Sequence, residues 1–530
     1  MSIRSLQILA AAALAILANF APARAATPAD TVVMAEAIDG IQSLDPAEGY
    51  ALVEGEVIAN CYDRVMRYEP EDLNKLVGEV VESWSVSDDG KTFTFKIRPG
   101  QKFHSGNPLT ANDVAFSLQR VVILNKAPAF LLTQLGWNAD NAKQVIAAVD
   151  DSTFNITVAG NFAPSLVLNL LSSGVASVVD EKLVMSHEVG GDLGNAWLKT
   201  HDAGSGAYSL RSWIPDDAVV MEANPGYGLG APRVAQVILK HTPEAASQRL
   251  MLQKGDADIA RNLTPDQIAG LDKDPDIVVS DHPSGQVWYL GLSQKVEALS
   301  NPKVRQAIRY LIDYQGMAAS FLKGQLFVHQ AFWPSGSFAS LDDNPFSLDV
   351  AKARQLLAEA GYASGFEVRM DVANTSPNID IAQSIQQSMA KAGIKVDIVQ
   401  EDLKQASKQQ RSRKHQLFLN NWDPDYMDPH ANAASFAYNI DNSDQSKLKT
   451  LAWRNSWLIP DLSRETDEAR QERDPTKRKA LYLDIQKQVQ ADGPLIVLFQ
   501  ATHEIAARKE VNGFVIGAAY GEVFYRLMTK

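Results

Sequence analysis

Two amphipathic helices, each stopped by a glycine, constrain this chain's fold more than any other feature. Residues 349–360 carry Ala353, Leu356, Leu357 and Ala360 on one stripe and end at Gly361. Residues 381–392 repeat the design with Ile381, Ile385 and Met389, and end at Gly393. A single apolar stripe predicts a helix with one buried face, and glycine supplies the left-handed residue that closes it. Residues 394–399 (IKVDIV) follow at once and alternate like a strand. Helix, glycine and strand make half of a βαβ unit, so part of the molecule must be a parallel sheet of an α/β fold. Upstream, residues 92–98 (TFTFKIR) alternate, and residues 88–91 (DDGK) before them read as the turn of a hairpin. Thr110 and Asp113 then suit a helix start, with Val114, Phe116 and Leu118 behind them. No repeat of fixed period is visible.

The N-terminus reads as a secretory signal peptide, residues 1–25. Arg4 precedes an apolar run over residues 6–20, and Ala23 and Ala25 give the small-x-small pattern of a cleavage site. The run is short of the roughly 20 residues that span a bilayer. The mature protein is therefore expected to be soluble and outside the cytoplasm. The single cysteine, Cys61, lies too far downstream to carry a lipid anchor. One cysteine also excludes an internal disulfide, and a buried, inert thiol is expected. A chain of 530 residues predicts two or three domains, and 45% hydrophobic residues can fill their cores. A formal charge of −13 argues against nucleic acid or an anionic membrane as partner.

Enzyme templates are missing. The chain has no Gly-x-Ser-x-Gly elbow, no P-loop and no His-Glu-x-x-His; His503-Glu504 starts like the last, but no histidine follows at the needed offset. Nine histidines are scattered singly, so neither a metal site nor a cofactor is expected. Gly204-Ser205-Gly206 reads as a sharp turn, and residues 411–414 (RSRK) as a solvated helix face. Counting carboxylates leaves one alternative open, a periplasmic hydrolase working through a pair such as Asp425 and Glu504.

Several segments, taken in order, carry a resemblance. They are Leu44-Asp45-Pro46, residues 84–120 (WSVSDDGKTFTFKIRPGQKFHSGNPLTANDVAFSLQR), residues 204–208 (GSGAY), Asn224-Pro225-x-Tyr227, residues 255–258 (GDAD), residues 301–313 (NPKVRQAIRYLID), residues 353–361 (ARQLLAEAG) and residues 422–429 (WDPDYMDP). Together they resemble family 5 of the bacterial extracellular solute-binding proteins, the peptide and nickel class. The resemblance implies an α/β, periplasmic-binding-protein-like fold of the large cluster C type. In such a fold two lobes close on ligand about a hinge of two crossing strands, and an extra domain is inserted in the first lobe. Transferred here, residues 26–60, 200–283 and 502–530 form the first lobe, 61–199 the insert and 284–501 the second lobe. Arg98, Phe103 and Asp113 then lie in the insert and read as structural.

The resemblance also implies a ligand cleft between the lobes. In peptide-binding relatives a carboxylate of the W-x-x-D-Y-x-D-P loop grips the ligand's α-ammonium, and Asp425 fits that place. Trp422 would offer a flat wall, with Tyr426 and Asp428 beside it; a capping role in the turn is the alternative for the aspartates. Strand alternation at Trp288-Tyr289 turns one of the two to the cleft, and Trp288 is the choice. Ser43 completes the expected set. Residues 371–378 (DVANTSPN) lack the arginine that dipeptide-binding relatives aim at the ligand's carboxylate, which speaks against strict dipeptide specificity. The absence of a histidine cluster speaks against nickel. The implied protein is a monomeric, periplasmic, non-enzymatic binding component that hands a peptide or amine-bearing solute to an inner-membrane ABC permease. An oligosaccharide or opine ligand, or a chaperone-like or sensory role on the same fold, stays open.

Overall fold

Two long strands, Ile277–Leu292 and Leu495–Arg508, run antiparallel through the middle of the molecule. The computed structural model describes residues 27–530 except 71, 272 and 520. The expected signal peptide, residues 1–25, lies outside the described residues. On one side of the long pair the sheet continues through Leu417–Trp422, Glu367–Ala373 and Lys395–Glu401. On the other it continues through Ile259–Ala260, Thr31–Glu36, Gln236–His241, Ala218–Ala223 and Tyr208–Ile214. Each side has a parallel part. Glu367–Ala373 pairs in parallel with both of its neighbours, and so does Thr31–Glu36. The architecture is α/β and two-lobed, with the long strands passing from lobe to lobe.

The helix–glycine–strand units form as the sequence predicts. Val350–Glu359 buries Ala353 and Leu357, and Asn378–Ala390 buries Ile381, Ile385 and Met389. Gly361 and Gly393 take φ of +87° and +84°, the left-handed turn that a side chain resists. Both helices pack on one face of the second-lobe strands, in a core with Leu290, Met370 and Leu419.

Residues 81–157 contain a smaller antiparallel sheet of Val81–Val86, Thr92–Ile97, Thr153–Thr157 and Ile146–Asp150. Helix Ala111–Leu124 packs in its core with Phe93, Phe95 and Phe154. Asp113 accepts the Thr110 N–H at 2.9 Å and so caps that helix. Arg98 donates to the carbonyls of Gly78, Glu79 and Val81, and Phe103 is buried. These residues are structural, as their place in the sequence suggested. Arg120 of the same helix reaches back to the N-terminal segment. It donates to both oxygens of Asp45 at 2.7 and 2.6 Å, and Asn195 donates to the same carboxylate at 2.6 Å. A buried ion pair is tolerable only when its remaining donors and acceptors are met, and here they are. Cys61 is buried, and among the described residues no single helix is long and apolar enough to cross a membrane.

The long strands change register where they pass between the lobes. Pro283 stands opposite Thr502, but the next pair is Val287 with Gln500, so residues 284–286 bulge out. Gly285 sits in the bulge because there is no room for more. A Cβ there would come within 2.4 Å of the Ala518 carbonyl and 2.6 Å of the Pro424 ring. Gly285→Ala is expected to cost about 1–3 kcal/mol through this overpacking, read as a lower urea midpoint. An unchanged midpoint would mean that the neighbouring loops yield.

Candidate ligand cleft

The loop after strand Leu417–Trp422 approaches the N-terminal segment, and that meeting point forms the site. Pro424 and Pro429 prevent the strand from running on, and helix His430–Phe436 begins directly afterwards. Asp428 shapes the return by accepting the His430 N–H at 3.0 Å. Asp425 is thereby left free of the turn and faces Tyr50. The Tyr50 hydroxyl donates to Asp425 Oδ1. Around this contact lies a small pocket lined also by Leu131, Ser173, Val175 and Gly521. The wall therefore draws on residues 49–58, residues 131–175, the C-terminal tail and the 422–429 loop.

The electrostatics are one-sided. Asp425 is partly buried, and burial pushes its carboxyl up to about 6; the Tyr50 hydrogen bond opposes this and the nearby Asp423 charge adds to it. Burial raises Asp423 too, although Gln286 Nε2 donates to both of its oxygens at 3.1 and 2.9 Å. None of the described residues lining the pocket is a lysine, arginine or histidine. Among the described residues, the side-chain hydrogen bonds to Asp425 and Asp423 come from a phenol and an amide, both neutral donors. No group of three or more histidine, cysteine or acidic residues suited to a metal occurs among the described residues.

The other expected site residues divide. Trp422 is partly buried beside the loop, its N–H given to Asn432 Oδ1 at 3.2 Å and its ring edge-on to Phe436. Tyr426 is buried in the core that also holds Phe95, Leu131 and Phe154, and does not line the pocket. Asp428 is corrected from ligand contact to structural anchor: Arg478 binds both its oxygens at 2.8 and 2.7 Å. Trp288 is corrected as well. It lies in the second-lobe core and donates to Asn378 Oδ1 at 3.0 Å. Tyr289 points to the opposite face, where Gln410 donates to its hydroxyl. Both faces of this strand are covered, so alternation does not single out a cleft face. Ser43 is buried in a loop, with its N–H given to Glu54 at 2.9 Å. Glu504 lies against Gly324 and does not line the Asp425 pocket.

Sequence reasoning missed Tyr50, Asp423 and Gln286. Asp423 could have been found, since it lies in the same motif two residues before Asp425. Tyr50 carries no local signal, because its partner is 375 residues away.

Residues 75–444 match the family model described as bacterial extracellular solute-binding proteins, family 5 Middle. A probable D,D-dipeptide-binding periplasmic protein of Escherichia coli K12 is 30% identical over 97% of this chain and 96% of its own. A glutathione-binding protein of Pectobacterium atrosepticum is 27% identical over 89% of each chain. Among solved structures, a periplasmic binding protein of Helicobacter pylori in complex with the peptide STSA superposes with a TM-score of 0.76. It is 23% identical, with 94% of this chain and 98% of that one covered. The chain belongs to family 5 of the bacterial extracellular solute-binding proteins.

Proposed function

We propose that the chain is the periplasmic substrate-binding component of an ABC importer. It captures an amine-bearing ligand, a peptide before other solutes, and hands it chemically unchanged to an inner-membrane permease. The observation that carries this reading is Asp425, a half-desolvated carboxylate beside a second one with no cation lining its pocket. An ammonium placed there relieves the burial of both charges. The peptide-binding names of the relatives support the same ligand class. In this reading residues 26–60, 200–283 and 502–530 move as one lobe, with 61–199 inserted in it. Residues 284–501 form the other lobe, and the 284–286 bulge is the hinge. Native mass spectrometry of protein purified without refolding, followed by thermal shift against peptides, amino sugars and opines, tests the assignment. No co-purifying molecule and no shift with any class would overturn it, and so would a cleaved product.

Binding should depend on pH through Asp425. Its carboxyl lies near 6, above the ordinary 3.8, so the free site holds a proton below that value. An ammonium needs the ionised form and lowers the pKa in the complex. Affinity is therefore full above about pH 6 and is lost as pH falls, with Kd rising roughly tenfold per unit until the complex also protonates. Calorimetry between about pH 4.5 and 8 reads this directly. A flat profile would remove Asp425 from the contact. Stability has the opposite sign: a raised carboxyl favours the folded state at low pH, and that contribution fades as pH rises through about 6.

A further inference from the structure

We infer that Tyr50 sets the threshold a ligand must pass, because its hydroxyl holds the Asp425 oxygen that a ligand's donor would take. The inference rests on the binding role proposed for Asp425.

Tyr50 is placed firmly. The Glu54 carboxylate gathers four backbone N–H groups of the N-terminal segment, those of Gln42, Ser43, Tyr50 and Ala51, at 2.6, 2.9, 2.6 and 2.6 Å. The Tyr50 ring meets Phe130 edge-on, with centroids 6.0 Å apart and planes at 86°. The hydroxyl is thus presented from the first lobe and the insert toward Asp425, which belongs to the 422–429 loop. The hydroxyl occupies one acceptor site of Asp425 Oδ1, so a ligand donor that takes the same site must displace it.

The chemistry of the exchange decides what can displace it. A phenol is a neutral donor and leaves the charges of Asp423 and Asp425 uncompensated. A sugar hydroxyl or an amide would replace one neutral hydrogen bond with another and gain little. An ammonium makes a charge-assisted bond about twice as strong, and it neutralises the pair. Tyr50 therefore taxes every ligand equally, and only cationic donors clear the tax.

Tyr50→Phe keeps the ring and its contact with Phe130 but removes the competitor. An equimolar dipeptide mixture and the same mixture N-acetylated serve as probes, followed by thermal shift and calorimetry. Tyr50→Phe should tighten both by a similar factor of roughly ten, the worth of one net hydrogen bond. The acetylated mixture should then enter the measurable range. Weaker or unchanged binding of the free mixture would overturn the inference and make Tyr50 a ligand contact or a bystander. A second readout needs no ligand. The carbon NMR titration of the Asp425 carboxyl should move up in Tyr50→Phe, because a hydrogen bond to the ionised form is lost. An unmoved titration would overturn the inference by itself. Failure of the binding role looks different: Asp425→Asn would then bind the free mixture as wild type does, whatever Tyr50→Phe shows.

Discussion

Asp425→Asn is expected to weaken an amine ligand by about 30-fold to several thousand-fold, because removing one partner of a desolvated charge pair costs about 2–5 kcal/mol. The substitution keeps the shape and one acceptor for Tyr50 while removing the charge. The same change should leave the thermal midpoint of the protein without ligand unchanged, or raise it. Burial already pushes this carboxyl up to about 6, which means that the folded protein resists its charge. A turn-capping role would predict the reverse, with a lower midpoint and normal binding. The geometry places that task elsewhere. Asp428 accepts the His430 N–H, and the Asp428 N–H is itself given to the Tyr426 carbonyl. The turn therefore keeps its hydrogen bonds when Asp425 changes. Calorimetry beside melting curves of the two proteins separates the outcomes. Unchanged affinity with a destabilised protein would transfer Asp425 to the structural residues and favour a neutral ligand.

The contrast between Asp425 and Trp288 shows what a sequence reading can reach. Local periodicity is a property of neighbours, so the helices ending at Gly361 and Gly393 and the hairpin around Gly90 were legible. The capping of helix Ala111–Leu124 was legible for the same reason. The ordered motifs carried the family. What failed depended on partners far along the chain. Alternation says that Trp288 and Tyr289 face opposite ways, and they do. It does not say that one face meets the helix core with Ile385 while the other meets Phe436 and the core that holds Phe95. Asp428 looked like its neighbour Asp425 because Arg478, fifty residues on, is invisible in the motif. Ser43 is buried because Glu54, eleven residues on, takes its N–H as well as that of its own helix N-cap, Ala51, and the cap pattern alone does not reveal the longer reach. Side-chain identity was read correctly in these cases, and the missing quantity was the neighbour.

Asp428→Asn is expected to destabilise the protein by about 3–5 kcal/mol, the cost of leaving a buried charge without its partner. Asp428 and Arg478 are each only 2% exposed, and the guanidinium meets the carboxylate in a two-pronged arrangement at 2.8 and 2.7 Å. Arg478 also donates to the Ala469 carbonyl at 3.1 Å, Ser165 Oγ at 3.3 Å and the Tyr482 hydroxyl at 3.5 Å. None of these neutral groups compensates a full charge taken out of water. The pair also fixes the 422–429 loop to helix Pro475–Asp492 and, through Ser165, to helix Pro164–Leu170. Urea unfolding should therefore show a lower midpoint, while affinity measured where the variant is still folded should stay within about threefold of wild type, since the Asp425 carboxylate is untouched. Pairing the change with Arg478→Met removes the orphaned cation and should recover part of the loss, because apolar replacements of a buried ion pair are often neutral or better. If Asp428→Asn instead kept full stability and lost affinity, the ion pair would be incidental and Asp428 would belong to the cleft.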